Sequence, residues 1–427
     1  MRSIQSPGGR DRHTTGIAVA LAVSIIARAT VARADVTLIL PSPLGVKEVV
    51  RLARLSRPEV VAASARASAA KQRPAIVSAL EDPQIFPSID HAPFMGGGAD
   101  ISLTIQQSFP LSHARRHRGE AAEAEARRAL AQRDQVALDV ELDAAVAFWM
   151  LFESRGLVEV LDEQHLLADQ LVAAAMTRYS TNTGAQADVL RAQLEVARIG
   201  AEHRALVAEV RASEVTLDTS LARTTDAPVP DLDSTISDAE PPSGSDVATT
   251  AVDWRPELQV SKAELARSEA DVAVMQSMYS PMAMVRTGPS YTMSDGAGWM
   301  IMVGLSIPIW RDKLHAAVGE AHSMADSANA ELDATRRMIG GEAAALRERV
   351  AAARERYLAL RDTVVPKAKQ ATAATLTAYT SNQQPLVSTI EAAQALWSAQ
   401  RDLVMAHAEL GIAWARLDRA TGKDGAP

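Results

Sequence analysis

Strict alternation of apolar and polar positions occurs at two places in the chain. In "DISLTIQQSFPL", residues 100–111, Ile101, Leu103, Ile105, Phe109 and Leu111 share one side, interrupted only by Gln107, while Ser102, Thr104, Gln106, Ser108 and Pro110 share the other. In "GWMIMVGLSIPIW", residues 298–310, Trp299, Ile301, Val303, Leu305, Ile307 and Ile309 oppose Met300, Met302, Gly304, Ser306 and Pro308. A period of two over such lengths predicts strands. Weaker partner strands near 83–90 and 282–293 turn each into a hairpin. Between and after the hairpins the chain is alanine-rich and helical, with two long stretches at about 113–178 and 311–378. At about 1.5 Å per residue each would reach roughly 95–100 Å, far beyond an ordinary globular helix. The second stretch carries Gly319, Gly340 and Gly341, and a kink is expected at Pro366.

The same order of elements is written twice. Arg57-Pro58-Glu59-Val60 returns 198 residues later as Arg255-Pro256-Glu257-Leu258, and Ser108-Phe109-Pro110-Leu111 returns at the same offset as Ser306-Ile307-Pro308-Ile309. Tyr179 and Tyr379, and Leu217-Asp218 and Leu417-Asp418, are 200 apart. Ordered landmarks at near-constant spacing mark an internal duplication. The expected organisation is a first repeat over 35–223, with strands at about 83–111 and a helical hairpin at about 113–222. A linker or irregular segment follows at 224–250, rich in proline, serine, aspartate and glycine. The second repeat covers 251–422, with strands at about 282–310 and a hairpin at about 311–421, before a tail at 423–427.

Strands of nine to eleven residues that alternate in this way suit an outer membrane, where one side meets lipid and the other a watery lumen. Four strands do not close a barrel, since small membrane barrels need about eight. An open sheet edge in lipid leaves backbone groups without partners. Strands that cross a membrane therefore require several chains to share one barrel.

Composition narrows the alternatives. Hydrophobic residues make up 47% of the 427 but aromatics only 4%, so the apolar mass is small and suits closely packed helices. A net charge of −8 argues against a general nucleic-acid partner. No cysteine is present, which removes disulfides, thiolate metal sites and cysteine nucleophiles. At the start, Arg2, Arg10, Arg12 and His13 precede an apolar run over 16–27, and Ala32 and Ala34 form a small-x-small site. This predicts a signal peptide, residues 1–34, and an exported chain.

These features together resemble the TolC-type outer-membrane efflux family, over about Val46 to Thr421. The resemblance implies a mainly α fold with a membrane β-barrel part. Duplicated coiled-coil hairpins and four strands per chain would assemble as a homotrimer with a 12-stranded barrel continued by an α-helical tunnel. It implies a passive exit duct in the outer membrane of a Gram-negative bacterium, reaching into the periplasm. Its partners would be a periplasmic adaptor, an inner-membrane pump of RND or ABC type, and outer-membrane lipid, with no cofactor. The family's tip pattern of an aromatic residue, a polar turn and a following helix maps to Tyr179, Asn182, Gly184, Asp188, Val189 and Ala192. In the second copy it maps to Tyr379, Asn382, Leu386, Val387, Ile390 and Ala392. Adaptor contact is thereby implied for Tyr179, Asn182, Gly184, Val189, Asn382 and Leu386. A gate latch is implied between Asp188 and Tyr379, with Gln384 where relatives carry a reinforcing basic residue. Pore-facing acidic positions correspond to Ser388 and Glu391, so a single glutamate ring would favour cations.

Other candidate chemistry is sparse. Met282, Met284, Met300 and Met302 fall by strand parity on the lumen side, where thioethers would select soft ions such as Cu(I) or Ag(I), or simply pack. His113 and His117 have the spacing of a helical ligand pair, but Arg115, Arg116 and Arg118 point instead to a basic collar with Arg311 and Lys313. No nucleotide-binding, zinc-protease or serine-elbow motif is present, and "GGGAD" at 96–100 precedes a strand, so no enzyme is expected. Two alternatives stand beside the efflux duct: a duct for type I protein secretion, and a periplasmic coiled-coil structural or adaptor protein that never inserts.

Overall fold

The computed structural model describes residues 40–91 and 99–422. The expected signal peptide, the tail at 423–427 and most of the glycine-rich loop lie outside the described residues. In chain order the elements are β1 (Leu44–Gly45), α1 (Val46–Ser56), α2 (Pro58–Ser78), β2 (Gln84–His91), β3 (Asp100–Pro110), α3 (Ala114–Ser180), α4 (Gln186–Ser220) and β4 (Leu232–Asp233). Then come α5 (Gly244–Trp254), α6 (Pro256–Ser277), β5 (Met282–Thr292), β6 (Gly296–Ser306), α7 (Arg311–Ala359), a π-helical turn (Leu360–Val364), α8 (Val365–Thr380) and α9 (Leu386–Thr421). The mainly helical, duplicated architecture expected from the sequence is present.

The repeated landmarks mark element boundaries. Pro58 and Pro256 open α2 and α6, each after an arginine in extended conformation. Proline suits that place because the first helical N–H has no partner to lose and its φ is already helical. The 67 residues of α3 run without a break, about 100 Å at 1.5 Å per residue. Its buried positions are mostly alanines, among them Ala122, Ala124, Ala137, Ala144, Ala168 and Ala175, which let neighbouring helices approach closely. Gly411 on α9 serves the same end: a Cβ there would lie 2.2 Å from the Trp149 indole, so only glycine lets α9 pass that ring.

In the second repeat the corresponding helix is interrupted. Where a kink is expected at Pro366, the hydrogen bonding loosens to the π pattern over Leu360–Val364, and Pro366 sits at the start of α8. A π turn is a common way to accommodate a proline whose ring and missing N–H disrupt the preceding turn.

Four strands form one antiparallel sheet in the order β2-β3-β5-β6, so the hairpins of the two repeats lie side by side. Cross-strand partners fix the faces: Ile105, Thr287 and Ile301 align on one side, and Gln106, Arg286 and Met302 on the other. The first face carries Ile85, Ile89, Ile101, Leu103, Trp299, Val303 and Leu305, all exposed, with Ile301 71% open. The exceptional Gln107 is satisfied by donating from Nε2 to the Glu81 carbonyl at 2.8 Å. On the opposite face Ser102 and Thr104 are buried, and Ser88 and Ser102 hydroxyls meet at 2.6 Å.

Two boundaries differ from expectation. The last strand, expected to reach about 310, ends at Ser306, opposite Met282, the first residue of its partner β5. The segment expected to be irregular over 224–250 contains β4, which pairs in parallel with β1, and the start of α5. Ser243 caps α5 by accepting from the Asp246 N–H at 3.3 Å, so a polar run that reads as linker is here a helix start.

Candidate functional site

The far end of the helical part is built by two turns, α3–α4 and α8–α9. Both helices end with the same hydrogen-bond pattern. In the first, the Asn182 N–H donates to the Tyr179 carbonyl and the Thr183 N–H to the Arg178 carbonyl, at 3.1 and 2.9 Å. In the second, the Asn382 N–H donates to the Tyr379 carbonyl and the Gln383 N–H to the Ala378 carbonyl, at 3.1 and 2.8 Å. This double closure is a Schellman motif, which needs a left-handed residue just past the helix end. Asn182 and Asn382 supply it, with φ of 64° and 58°. The "YSTN" and "YTSN" segments are therefore helix stops. Asparagine tolerates that conformation better than other side-chain-bearing residues.

Beneath the turns lies a core drawn from both repeats. Leu161, Ala168, Leu171 and Ala175 of α3 and Val189, Ala192 and Ile199 of α4 pack with Tyr379, Leu386, Ile390, Ala393 and Trp397. Tyr379 is fully buried there, whereas Tyr179 is 47% exposed. Burial pushes the Tyr379 phenol above its ordinary value, with Asp188 adding to the rise and Arg178 opposing it.

Arg178 joins the turns. Its Nη1 donates to the Tyr379 carbonyl at 2.9 Å, and its Nη2 donates to the Thr183 carbonyl at 3.1 Å and to Asn382 Oδ1. The guanidinium carbon lies 4.4 Å from the Tyr379 ring centroid, a cation–π distance. Gly184 makes room for this arginine: its N–H donates to the Arg178 carbonyl at 3.0 Å, and a Cβ on it would stand 2.9 Å from Arg178 Cβ. Sequence reasoning missed Arg178, because its partners lie about 200 residues away and nothing local distinguishes it from other surface arginines.

The expected site residues are gathered at this tip, with corrections. Asn182, Asn382 and Gln384 are exposed and Gly184 is half-buried, so they border an open groove of about 590 Å³ between the turns. Val189 and Leu386 are buried in the core below and present no side chain to a docking partner in this conformation. The expected Asp188–Tyr379 bond is not formed within the chain. No hydrogen bond joins Tyr379 Oη to Asp188, and the Asp188 carboxylate faces Arg191 at 3.7 Å. Ser388 and Glu391 sit three residues apart on α9, half-buried and exposed respectively, and so share a helix face.

A family model described as outer membrane efflux protein matches residues 248–423. That match falls on the second repeat. No curated protein matches the sequence. Solved structures similar in fold include VceC of Vibrio cholerae, with 16% identity, a TM-score of 0.74, and coverage of 88% of this chain and 96% of that one. The open-state MtrE channel of Neisseria gonorrhoeae gives 14% and 0.72, with 88% of each chain covered. CmeC of Campylobacter jejuni gives 14% and 0.71, with 88% and 85% covered. The likeness of fold thus covers both repeats, beyond the stretch that the family model matches. The expected TolC-type resemblance stands with these matches.

On the sheet face that carries Arg286 the second repeat contributes Met282, Met284, Met300 and Met302, which share one side as parity predicts. Met302 pairs with Arg286, which donates to Gln106 Oε1 at 3.1 Å and covers the Phe86 ring at 4.5 Å. A fixed guanidinium among the thioethers opposes a bound cation and favours packing as the role of these methionines. Below the sheet, His117 bonds Glu120 through Nδ1 at 2.9 Å, a carboxylate partner the sequence reading did not assign. Among the described residues no group of three or more His, Cys, Asp or Glu could hold a metal, and no helix is long and apolar enough to cross a membrane.

Proposed function

We propose that the chain is one third of an outer-membrane exit duct in a tripartite efflux system, passive in itself. In this reading it is docked at its helical tip to a periplasmic adaptor and an inner-membrane pump of RND or ABC type. The observation that carries this reading is the sheet. One face is a continuous apolar surface open to the surroundings, and its outer strands, β2 and β6, each keep one unpaired edge. Lipid suits such a face and does not tolerate such edges. Three copies joined β6 to β2 would give twelve strands without an edge, and helices of about 100 Å then carry the passage through the periplasm.

In this duct the turns with Tyr179, Asn182, Gly184 and Asn382 meet the adaptor, and Glu391, with Ser388 beside it, lines the narrow end. Three glutamates there favour cations over anions. Fractionation of expressing cells tests the reading. The duct is expected in the outer-membrane fraction as a trimer, and recovery only in the soluble periplasm would leave a coiled-coil structural protein instead.

A further inference from the structure

The two turns of the tip are joined within the chain by a group other than the phenol–carboxylate pair that the resemblance suggests. We propose that Arg178 holds each subunit's tip shut by clamping the first repeat's turn to the second, with the Tyr379 ring as its platform. This rests on the duct reading of the chain.

Four observations converge on one guanidinium. Its backbone is fixed first: the Arg178 carbonyl accepts from both the Thr183 and the Gly184 N–H, so the side chain leaves from a rigid base. Its head then reaches the other repeat, donating to the Tyr379 carbonyl and Asn382 Oδ1 while keeping a bond to Thr183 of its own turn. The head lies over the fully buried Tyr379 ring, whose face attracts a cation. Finally, the C-terminal ends of α3 and α8 meet here, and the carbonyl-rich ends of two helices favour a cation between them.

The geometry is one-way. The position 200 residues after Arg178 is Ala378, and no cation covers the half-exposed Tyr179 ring among the described residues. Lysine does not replace this group: it is a point charge, whereas the planar fork satisfies acceptors on both turns at once. Opening the tip separates the two turns and must break the bonds to Tyr379 and Asn382 together. In contrast, no hydrogen bond joins Tyr379 Oη to Asp188, whose carboxylate faces Arg191 at 3.7 Å.

The test is single-channel conductance of the purified full-length protein in planar bilayers, with trimer content and thermal midpoint as folding controls. Arg178→Met keeps the length and removes the charge. It is expected to raise the open population about tenfold, the equivalent of losing one charge-assisted hydrogen bond. Arg178→Lys falls between it and the wild type, and Tyr379→Phe stays near the wild type. Asn382→Gly keeps the left-handed turn, removes one acceptor, and gives a smaller rise, which secures the test if Arg178→Met fails to assemble. A conducting wild type matched by both Arg178→Met and Asn382→Gly overturns the clamp alone. Opening by Tyr379→Phe with no effect of Arg178→Met assigns closure to the phenol instead. A wild type that never inserts removes the duct reading, and the clamp falls with it.

Discussion

The two turns at the tip share a backbone and differ in almost every side chain that touches a neighbour. Both stop their helix with the same double hydrogen bond and a left-handed asparagine. Around that common frame the first turn has Arg178, Gly184, Asp188 and Arg191, where the second has Ala378, Gln384, Ser388 and Glu391. The tyrosines have exchanged roles, one open to solvent and one sealed in the core. Duplication has thus preserved what makes a turn and released what the turn does. The first copy reaches across, and the second is the surface it reaches to.

The comparison is most easily broken at the tyrosines. Tyr379→Ala empties a fully buried site and should cost about 3–5 kcal/mol of local stability, the range for large aromatics in cores. Tyr179→Ala should change it by no more than about 1 kcal/mol, as for other surface positions. Hydrogen exchange over the ends of α3, α4, α8 and α9 reads both, and equal effects would remove the claimed division of roles. The next contrast is Gly184→Ala against Gln384→Ala. The first forces a methyl against Arg178 and should destabilise the tip by about 1–3 kcal/mol, while the second should stay within about 0.5 kcal/mol. Protection that falls equally in both variants would mean that Gly184 is not there for the arginine.

The mildest contrast lies further up the helices, where His407 stands 200 residues after Val207. Its ring is packed among Trp149, Phe152 and Tyr357 and bonds the Ser234 carbonyl through Nε2 at 3.1 Å. Burial lowers its pKa from 6.5, and nearby Arg361 adds to the drop. With the folded value depressed, the neutral ring's stability is complete above about 6.5 and is lost as pH falls from there through the folded value. The thermal midpoint should therefore decline in mild acid, and His407→Phe, which cannot titrate, should flatten that decline. An unchanged slope in the variant would place the acid sensitivity elsewhere.

Much of the architecture is legible in the sequence because it follows from local periodicity. The alternation at 100–111 and 298–310, the paired prolines at 58 and 256, and the asparagine turns each announce their element within a few residues. What escaped depends on distance. Arg178 is ordinary until Tyr379 and Asn382 arrive from the other repeat. The expected Asp188–Tyr379 bond is not formed in this conformation, since correspondence of position does not fix where a carboxylate turns when Arg191 is one helical turn away. At the first turn the left-handed position is Asn182, and Gly184 is needed for close approach. The start of α5 was hidden in a polar run whose Ser243 caps a helix as readily as it fills a loop.

The central claim is that the unpaired edges of β2 and β6 close on neighbouring subunits. The chain has no cysteine, so an engineered pair reads without background. One cysteine placed among residues 85–89 of β2 and one among residues 301–305 of β6 should, for pairs in register, oxidise in outer membranes to a covalent trimer that stops at three. Monomers from every pair, or ladders that continue past three, would contradict a closed barrel shared by three chains.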